Sequence, residues 1–308
     1  MVEVAPWWWA MLLPVALGAL VLGMVSGEAA VDARTAGRRV TTGELTRPVR
    51  GAARLLMRQR RLPLRADAVL WRIGSAAGVV AAVLAAAVVP FGGYVVWDSA
   101  VGIVWFNAMG ALMWALAWLA GWGANSAHAL VGGYRFLAQA LAYELPLMFA
   151  LTAPALGAAS LRMGDVVAAQ QDVWFVVWMP LAFAVYLLGV LGISFWGPLA
   201  PPAGSDIASG IAAEQSGMDR LALLAGRGML LVTGAAFAVP LFLGGGGGPV
   251  LPGWLWSLLK TVAVLAVLVW LSVGLPRVAV PRLLRVGWVM VLPAVLAQLL
   301  VVGVVVAW

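Results

Sequence analysis

The sequence predicts an all-α polytopic membrane protein, with eight transmembrane helices and a basic amphipathic helix in the first cytoplasmic loop. Three observations predict it. Of 308 residues, 64% are hydrophobic and only 10% are charged, far below the charge of a soluble domain. The apolar residues gather in runs of about 20 or more, the length a helix needs to cross the hydrocarbon. Alternating apolar and polar strands are missing, which argues against a transmembrane barrel.

The first run, residues 6–26, has no basic segment ahead of it and is long enough to span, so it reads as an anchor rather than a cleaved leader. The cytoplasmic loop 27–67 follows. In it Thr42 or Thr46 could cap a helix with Pro48 early in it, and Arg47, Arg50, Arg54, Arg58 and Arg61 recur every three or four residues. That spacing describes a basic amphipathic helix at the cytoplasmic face, or an ordinary positive-inside loop resting on anionic lipid. The remaining spans fall at 68–90, 100–120, 128–156, 172–196, 218–243, 252–274 and 284–307, so residues 1–308 form a single membrane domain. The fifth loop, GPLAPPAGSDIASGIAAEQSGMDR, is broken by Pro198, Pro201 and Pro202. The sixth, GGGGGPVLPG, reads as a flexible outer connection without phosphate-binding spacing.

Charge sets the orientation. Eleven of the 19 basic residues lie between Arg34 and Arg72, three more follow the seventh span, and the second, fourth and sixth loops together hold only Arg162. Odd loops are then cytoplasmic and both termini external, which eight alternating spans require. With no cysteine and the single histidine His128, the chain has no ligand set for an iron–sulfur cluster and a poor one for any metal.

The polar groups inside the spans are the candidate functional residues, because an ionisable group at depth costs about 2.5–3.5 kcal/mol on insertion scales and faces a bundle interior or a wet cavity. In GWGANSAHALVGGYRFLAQALAYELP, Arg135, Gln139 and Tyr143 share one helical stripe, and Glu144 follows just before Pro146. Glu144 is either a relay group or the partner of Arg135 in a structural pair. Lys260 stands near the middle of its span and needs a partner from a neighbouring helix, whereas Arg227 is expected to snorkel to the cytoplasmic side. Glu214 and Asp206, in the fifth loop, are solvated loop acids or the mouth of a relay leading to Glu144.

The stretch around Glu144, then AAEQSGMDRLALL, PLFLGG, WSLLK and LPRVAVPRLLRVGWVMVLP, occur in the order found in the H-type membrane subunit (subunit 1) of respiratory complex I, and RRVTTGELTRPVRGAARLLMRQRRLPLRAD lies against that family's first cytoplasmic loop without a gap. The chain resembles that family over nearly its whole length. The resemblance implies a multi-pass subunit of a bacterial plasma membrane, beside a quinone cavity, in a complex where quinone reduction drives proton movement. It implies partner subunits and quinone, with anionic lipid at the surface and no nucleic acid. Redox cofactors would sit on the partners, none on this chain, which would be inactive alone.

Carried over position by position, the resemblance makes Glu144, Glu214 and Asp206 the proton relay. Arg135, Gln139, Tyr143, Arg39, Arg54, Arg58, Lys260 and Arg277 become polar residues of the cavity or its frame. The chain departs from the family where acids are expected, at Gly192, Leu199, Pro202 and Gly204; Arg227 replaces a glutamate, Arg47 a glutamine and Gln59 another glutamate. An energy-converting hydrogenase-type complex and a stand-alone proton- or ion-coupled transporter are the alternative functions.

Overall fold

The computed structural model describes residues 2–204 and 210–307. Seven helices are long and apolar enough to cross a membrane: α1 (Trp9–Thr35), α3 (Ala68–Ala87), α4 (Gly102–Gly123), α5 (Ala127–Gly157), α7 (Gly217–Phe242), α8 (Gly253–Gly274) and α9 (Val280–Ala307); α2 (Arg47–Met57) lies in the first loop and α6 (Pro180–Ile193) is shorter. The predicted continuous span 172–196 is therefore corrected. Its first turn, Phe175–Trp178, stops at Met179, whose backbone leaves the helix (φ −121°, ψ 45°). Pro180 then starts α6, having no N–H to carry a hydrogen bond across the break. Hydropathy alone does not register that interruption.

The helix α1 outruns its predicted end by nine residues, to Thr35 rather than 26. Its 27 residues measure about 40 Å, against about 30 Å of hydrocarbon, so the last turns stand clear of the apolar layer. The loop helix α2 forms as expected, and none of its residues is buried. Its start is not capped as expected: the Thr46 hydroxyl turns back to the Thr42 carbonyl (2.9 Å). The helix ends at Met57, leaving Arg58 and Arg61 beyond it. Asp67 caps α3, its Oδ1 accepting from the backbone N–H of Val69 (3.0 Å) and Leu70 (3.1 Å).

Small residues let the central helices close up. A Cβ on Gly74 of α3 would sit 2.3 Å from the Ala120 nitrogen of α4, so only glycine permits that crossing. Phe106 and Phe237 stack between α4 and α7 with ring centroids 4.0 Å apart, and the Tyr186 hydroxyl of α6 donates to the Gly234 carbonyl of α7 (2.6 Å). The helices α1 and α9 form the rim, each with few buried residues.

The connections gather at two ends. At one end, strand β1 (Glu3–Val4) pairs in parallel with β2 (Tyr94–Val95) of the second loop, Asp98 meets Arg162 of the fourth loop (3.7 Å), and the sixth loop surrounds Lys260. At the other, the Asp67 N–H donates to the Gly123 carbonyl (2.9 Å), the Arg61 N–H to Ser216 Oγ (2.9 Å), and the Val278 N–H to the Pro198 carbonyl (3.0 Å). Odd-numbered connections share one end and even-numbered ones share the other.

Candidate functional site

Glu144 lies deep in α5, about 26 Å along the axis from Ala127. It is 8% exposed, and its Oε2 has no hydrogen-bond partner. The neighbouring Gln139 and Tyr143 are buried with it. Gln139 Nε2 donates to the Leu199 carbonyl (2.9 Å), but its Oε1 is unpartnered, as is the Tyr143 hydroxyl. Seven buried side-chain atoms among the described residues lack a partner, and five belong to Asn107 and Trp114 of α4 and to Gln139, Tyr143 and Glu144 of α5. Native interiors rarely leave such atoms unmet without a functional reason or ordered water.

Two glycines let neighbouring helices pack closely against this stretch of α5. A Cβ on Gly192 of α6 would come 2.5 Å from the Tyr143 ring, so the acid expected there is replaced by direct packing of the aromatic face. Leu199 and Pro202, two further positions where acids are expected, are buried as well. Pro146 has no N–H, so the Ala142 carbonyl four residues earlier loses its helical donor. A Cβ on Gly287 of α9 would lie 2.6 Å from that carbonyl, and a π-helical turn, Gly287–Val291, begins at the same point. Single π turns recur at functional sites.

The structural pairing of Glu144 with Arg135 is excluded by helix geometry. Nine residues separate them, about 13.5 Å along the axis and half a turn around it. Glu214 is also remote. It accepts from Ser126 Oγ (2.7 Å) at the start of α5, about 27 Å along the axis from Glu144. Asp206 lies outside the described residues. Arg39 and Arg277 are exposed and stand outside the buried cluster.

Lys260 lies near one end of α8, about 10 Å from Gly253, rather than at mid-span, and its partner is a loop rather than a helix. Its ammonium donates to the carbonyls of Leu243 (2.7 Å), Gly245 (3.0 Å) and Gly247 (2.8 Å), and sits 4.2 Å from the centre of the Trp174 ring. The glycine run thus has a definite structural use: its carbonyls form a cup for this cation. Arg227 does not snorkel either. It donates to the Ser194 (3.4 Å) and Phe195 carbonyls after the end of α6 and lies 4.6 Å from the centre of the Trp196 ring.

A cavity of about 700 Å³ opens between α1, α2 and α7. Val21, Leu22, Leu55, Leu221, Leu224 and Met229 make it apolar, while Arg54, Arg58 and Arg220 line it with positive charge. Arg54 and Arg58 are thus brought together at one cavity wall.

Sequence reasoning missed a second buried group, Asp219. Its Oδ1 meets Arg60 (3.0 Å) and its Oδ2 accepts from the Trp71 indole (3.3 Å), while Gln215 Nε2 donates to Ser75 Oγ (2.8 Å) close by. An acid directly after SGM, at the head of an apolar run, was the available signal. Asn107 was missed in the same way, although it is the lone amide of α4.

The NADH dehydrogenase family profile matches residues 7–303. The second of the NADH-quinone oxidoreductase H subunits of Geobacter sulfurreducens is 32% identical over 284 residues, covering 89% of this chain and 86% of that protein. The H subunit of the Geobacillus kaustophilus enzyme is 32% identical over 270 residues (86% and 81%), and the second H subunit of Cereibacter sphaeroides 36% over 252 (80% and 79%). A match of this extent, over a helical membrane scaffold with a buried acid in its fourth long hydrophobic run, makes the chain a member of the NADH dehydrogenase family to which these H subunits belong.

Proposed function

We propose that this chain is a membrane subunit of a proton-translocating NADH-quinone oxidoreductase, helping to form the quinone cavity and coupling quinone reduction to proton movement. The observation that carries the coupling role is Glu144, a carboxyl buried deep in α5 with an unmet oxygen, beside Asn107, Trp114 and Tyr143, each with an unmet polar atom of its own. Such a group is worth its insertion cost where a proton must rest. Glu214 would serve as the inner entrance with Asp206 near it in the sequence, and Arg135, Gln139 and Tyr143 occupy the stretch of α5 between the two ends. The named relatives do not favour a hydrogenase-type complex or a stand-alone transporter.

The apolar cavity beneath α2 suits a quinone with a long isoprenoid tail, which would enter from the bilayer past α1 with its ring towards Arg54 and Arg58. The chain works there as a non-redox subunit, electrons arriving through partner subunits. Exposed Leu56 and Met57, beside the arginines of α2, favour contact with an anionic lipid surface. Eight crossings of a bacterial plasma membrane, with the interrupted segment 175–193 counted as one, leave both termini external. The grouping of odd and even connections at opposite ends supports that count of crossings, and the arginine-rich odd loops favour the orientation.

The test is Glu144→Gln in the assembled complex. Glutamine keeps shape and hydrogen bonding, so abundance stays normal, and proton movement falls by about tenfold or more because the titrating group is gone. Normal abundance with undiminished proton movement removes Glu144 from the pathway.

A further inference from the structure

Two hollows meet at one arginine. Besides the apolar cavity, a polar one of about 420 Å³ lies just past the end of α1, against the start of α2. Its walls carry Arg38, Thr41, Arg47, Arg50 and Arg54, with Glu44 as the single carboxylate. Arg54 also lines the apolar cavity, together with Leu22, Val25 and Leu55. It therefore stands where a polar hollow gives way to an apolar one.

The arginines of the polar hollow are held in place. Glu44 accepts from Arg38 (2.5 Å) and lies 3.7 Å from Arg47, so one acid fixes two cations, and Arg50 donates to the Gly43 carbonyl. Arg54 makes no ion pair among the described residues. On α2, positions 47, 50 and 54 share one face, and positions 48, 51 and 55 form the neighbouring stripe that lines the apolar cavity. Four guanidinium groups with one carboxylate leave an excess of positive charge, and those groups bind phosphate oxygens in pairs.

We propose that these two hollows seat one anionic phospholipid of the cytoplasmic leaflet. Its phosphate rests on Arg47, Arg50 and Arg54, and the start of one acyl chain continues past Arg54 along Leu22 and Leu55 at the rim of the apolar cavity. The level suits a headgroup, because the last turns of α1 stand clear of the hydrocarbon. Leu45, Val49, Leu56 and Met57 are exposed in the same region and would enter the acyl layer around it. The interior of the cavity, at Gly18 about 10 Å farther along α1 from Val25, stays open to a quinone. This site deepens the lipid contact read for α2 and rests on that reading.

The experiment is native mass spectrometry of the purified full chain, titrated with phosphatidylglycerol or phosphatidylcholine, with circular dichroism to confirm that each variant keeps its helices. The wild-type chain should hold phosphatidylglycerol about tenfold more tightly, the worth of one hydrogen bond to a charged group. Replacing Arg47, Arg50 and Arg54 together with glutamine removes that preference. Replacing them with lysine keeps the charge but loses paired donation, and should weaken binding roughly threefold or more. Replacing Arg34, Arg65 and Arg72 with glutamine removes the same charge from exposed positions outside both hollows, and should leave the preference intact. Equal loss in that distant triple, or full retention by the lysine triple, means diffuse attraction and overturns the site. Wild-type preference in the glutamine triple also overturns it, and failed assembly of the complex in that variant would then assign the arginines to a partner subunit. Displacement of the lipid by equimolar glycerol phosphate means a free-phosphate site and overturns the lipid assignment. No preference in the wild-type chain overturns the surface contact beneath it as well.

Discussion

Replacing Lys260 with methionine keeps the apolar stem and removes the ammonium that holds the sixth loop. Three carbonyls lose their donor together, at 2.7, 3.0 and 2.8 Å. Hydrogen bonds to a charged group are worth about 1.5–3 kcal/mol each, and a desolvated cation over an aromatic face adds about 2 kcal/mol. Against this stands relief of the ammonium's own desolvation, several kcal/mol. The contacts to Leu243 and Gly247 are part-buried, so water replaces much of what they lose, whereas the contact to Gly245 is buried. The net cost comes to about 2–4 kcal/mol, concentrated in the loop and the start of α8. Hydrogen exchange followed by mass spectrometry reads it directly: amides of residues 243–252 should exchange roughly 30-fold to 1,000-fold faster in Lys260→Met, with α4 and α5 unchanged. Lys260→Arg should lie between, because a planar guanidinium cannot converge on three carbonyls from one nitrogen. Unchanged exchange in the methionine variant would refute the cup as a stabilising element.

Other consequences can be checked in the same preparations. Arg60→Met should lower stability by about 1–3 kcal/mol, below the cost of breaking a fully buried pair because Arg60 is half-exposed, and Arg60→Met with Asp219→Asn should recover part of it in a thermal denaturation series. Gly287→Val should push α9 from the Ala142 carbonyl at a cost of about 1–3 kcal/mol, and proton movement should fall with it; normal stability and coupling would show that the π turn yields freely. A reporter fused after Arg61 should read cytoplasmic and one after Trp308 external, and both on one side would remove the eight-crossing arrangement.

Residue order alone establishes a bundle of membrane helices, roughly where they run, and which connections share a side. Those properties are sums over local residues. Apolar transfer free energy accumulates along a run, and an arginine carries its preference for the cytoplasmic side wherever the chain takes it. Glu144 was legible for the same reason, since one acid in an apolar run declares its cost without reference to neighbours. Which residues meet is a matter of packing. Lys260 lacks a partner within its own helix and finds three in a glycine run that no spacing rule marked. Arg135 and Glu144, plausible partners along the chain, stand half a helical turn apart, while Asn107 and Trp114 reach the acid from a different helix. Gly192 could be read only as a missing acid until the Tyr143 ring was seen to fill its place. The break at Met179 depends on how its neighbours pack rather than on hydropathy. Hydrogen bonds and close contacts join residues tens to hundreds apart in sequence, and only folding brings those atoms within the few ångströms over which such forces act.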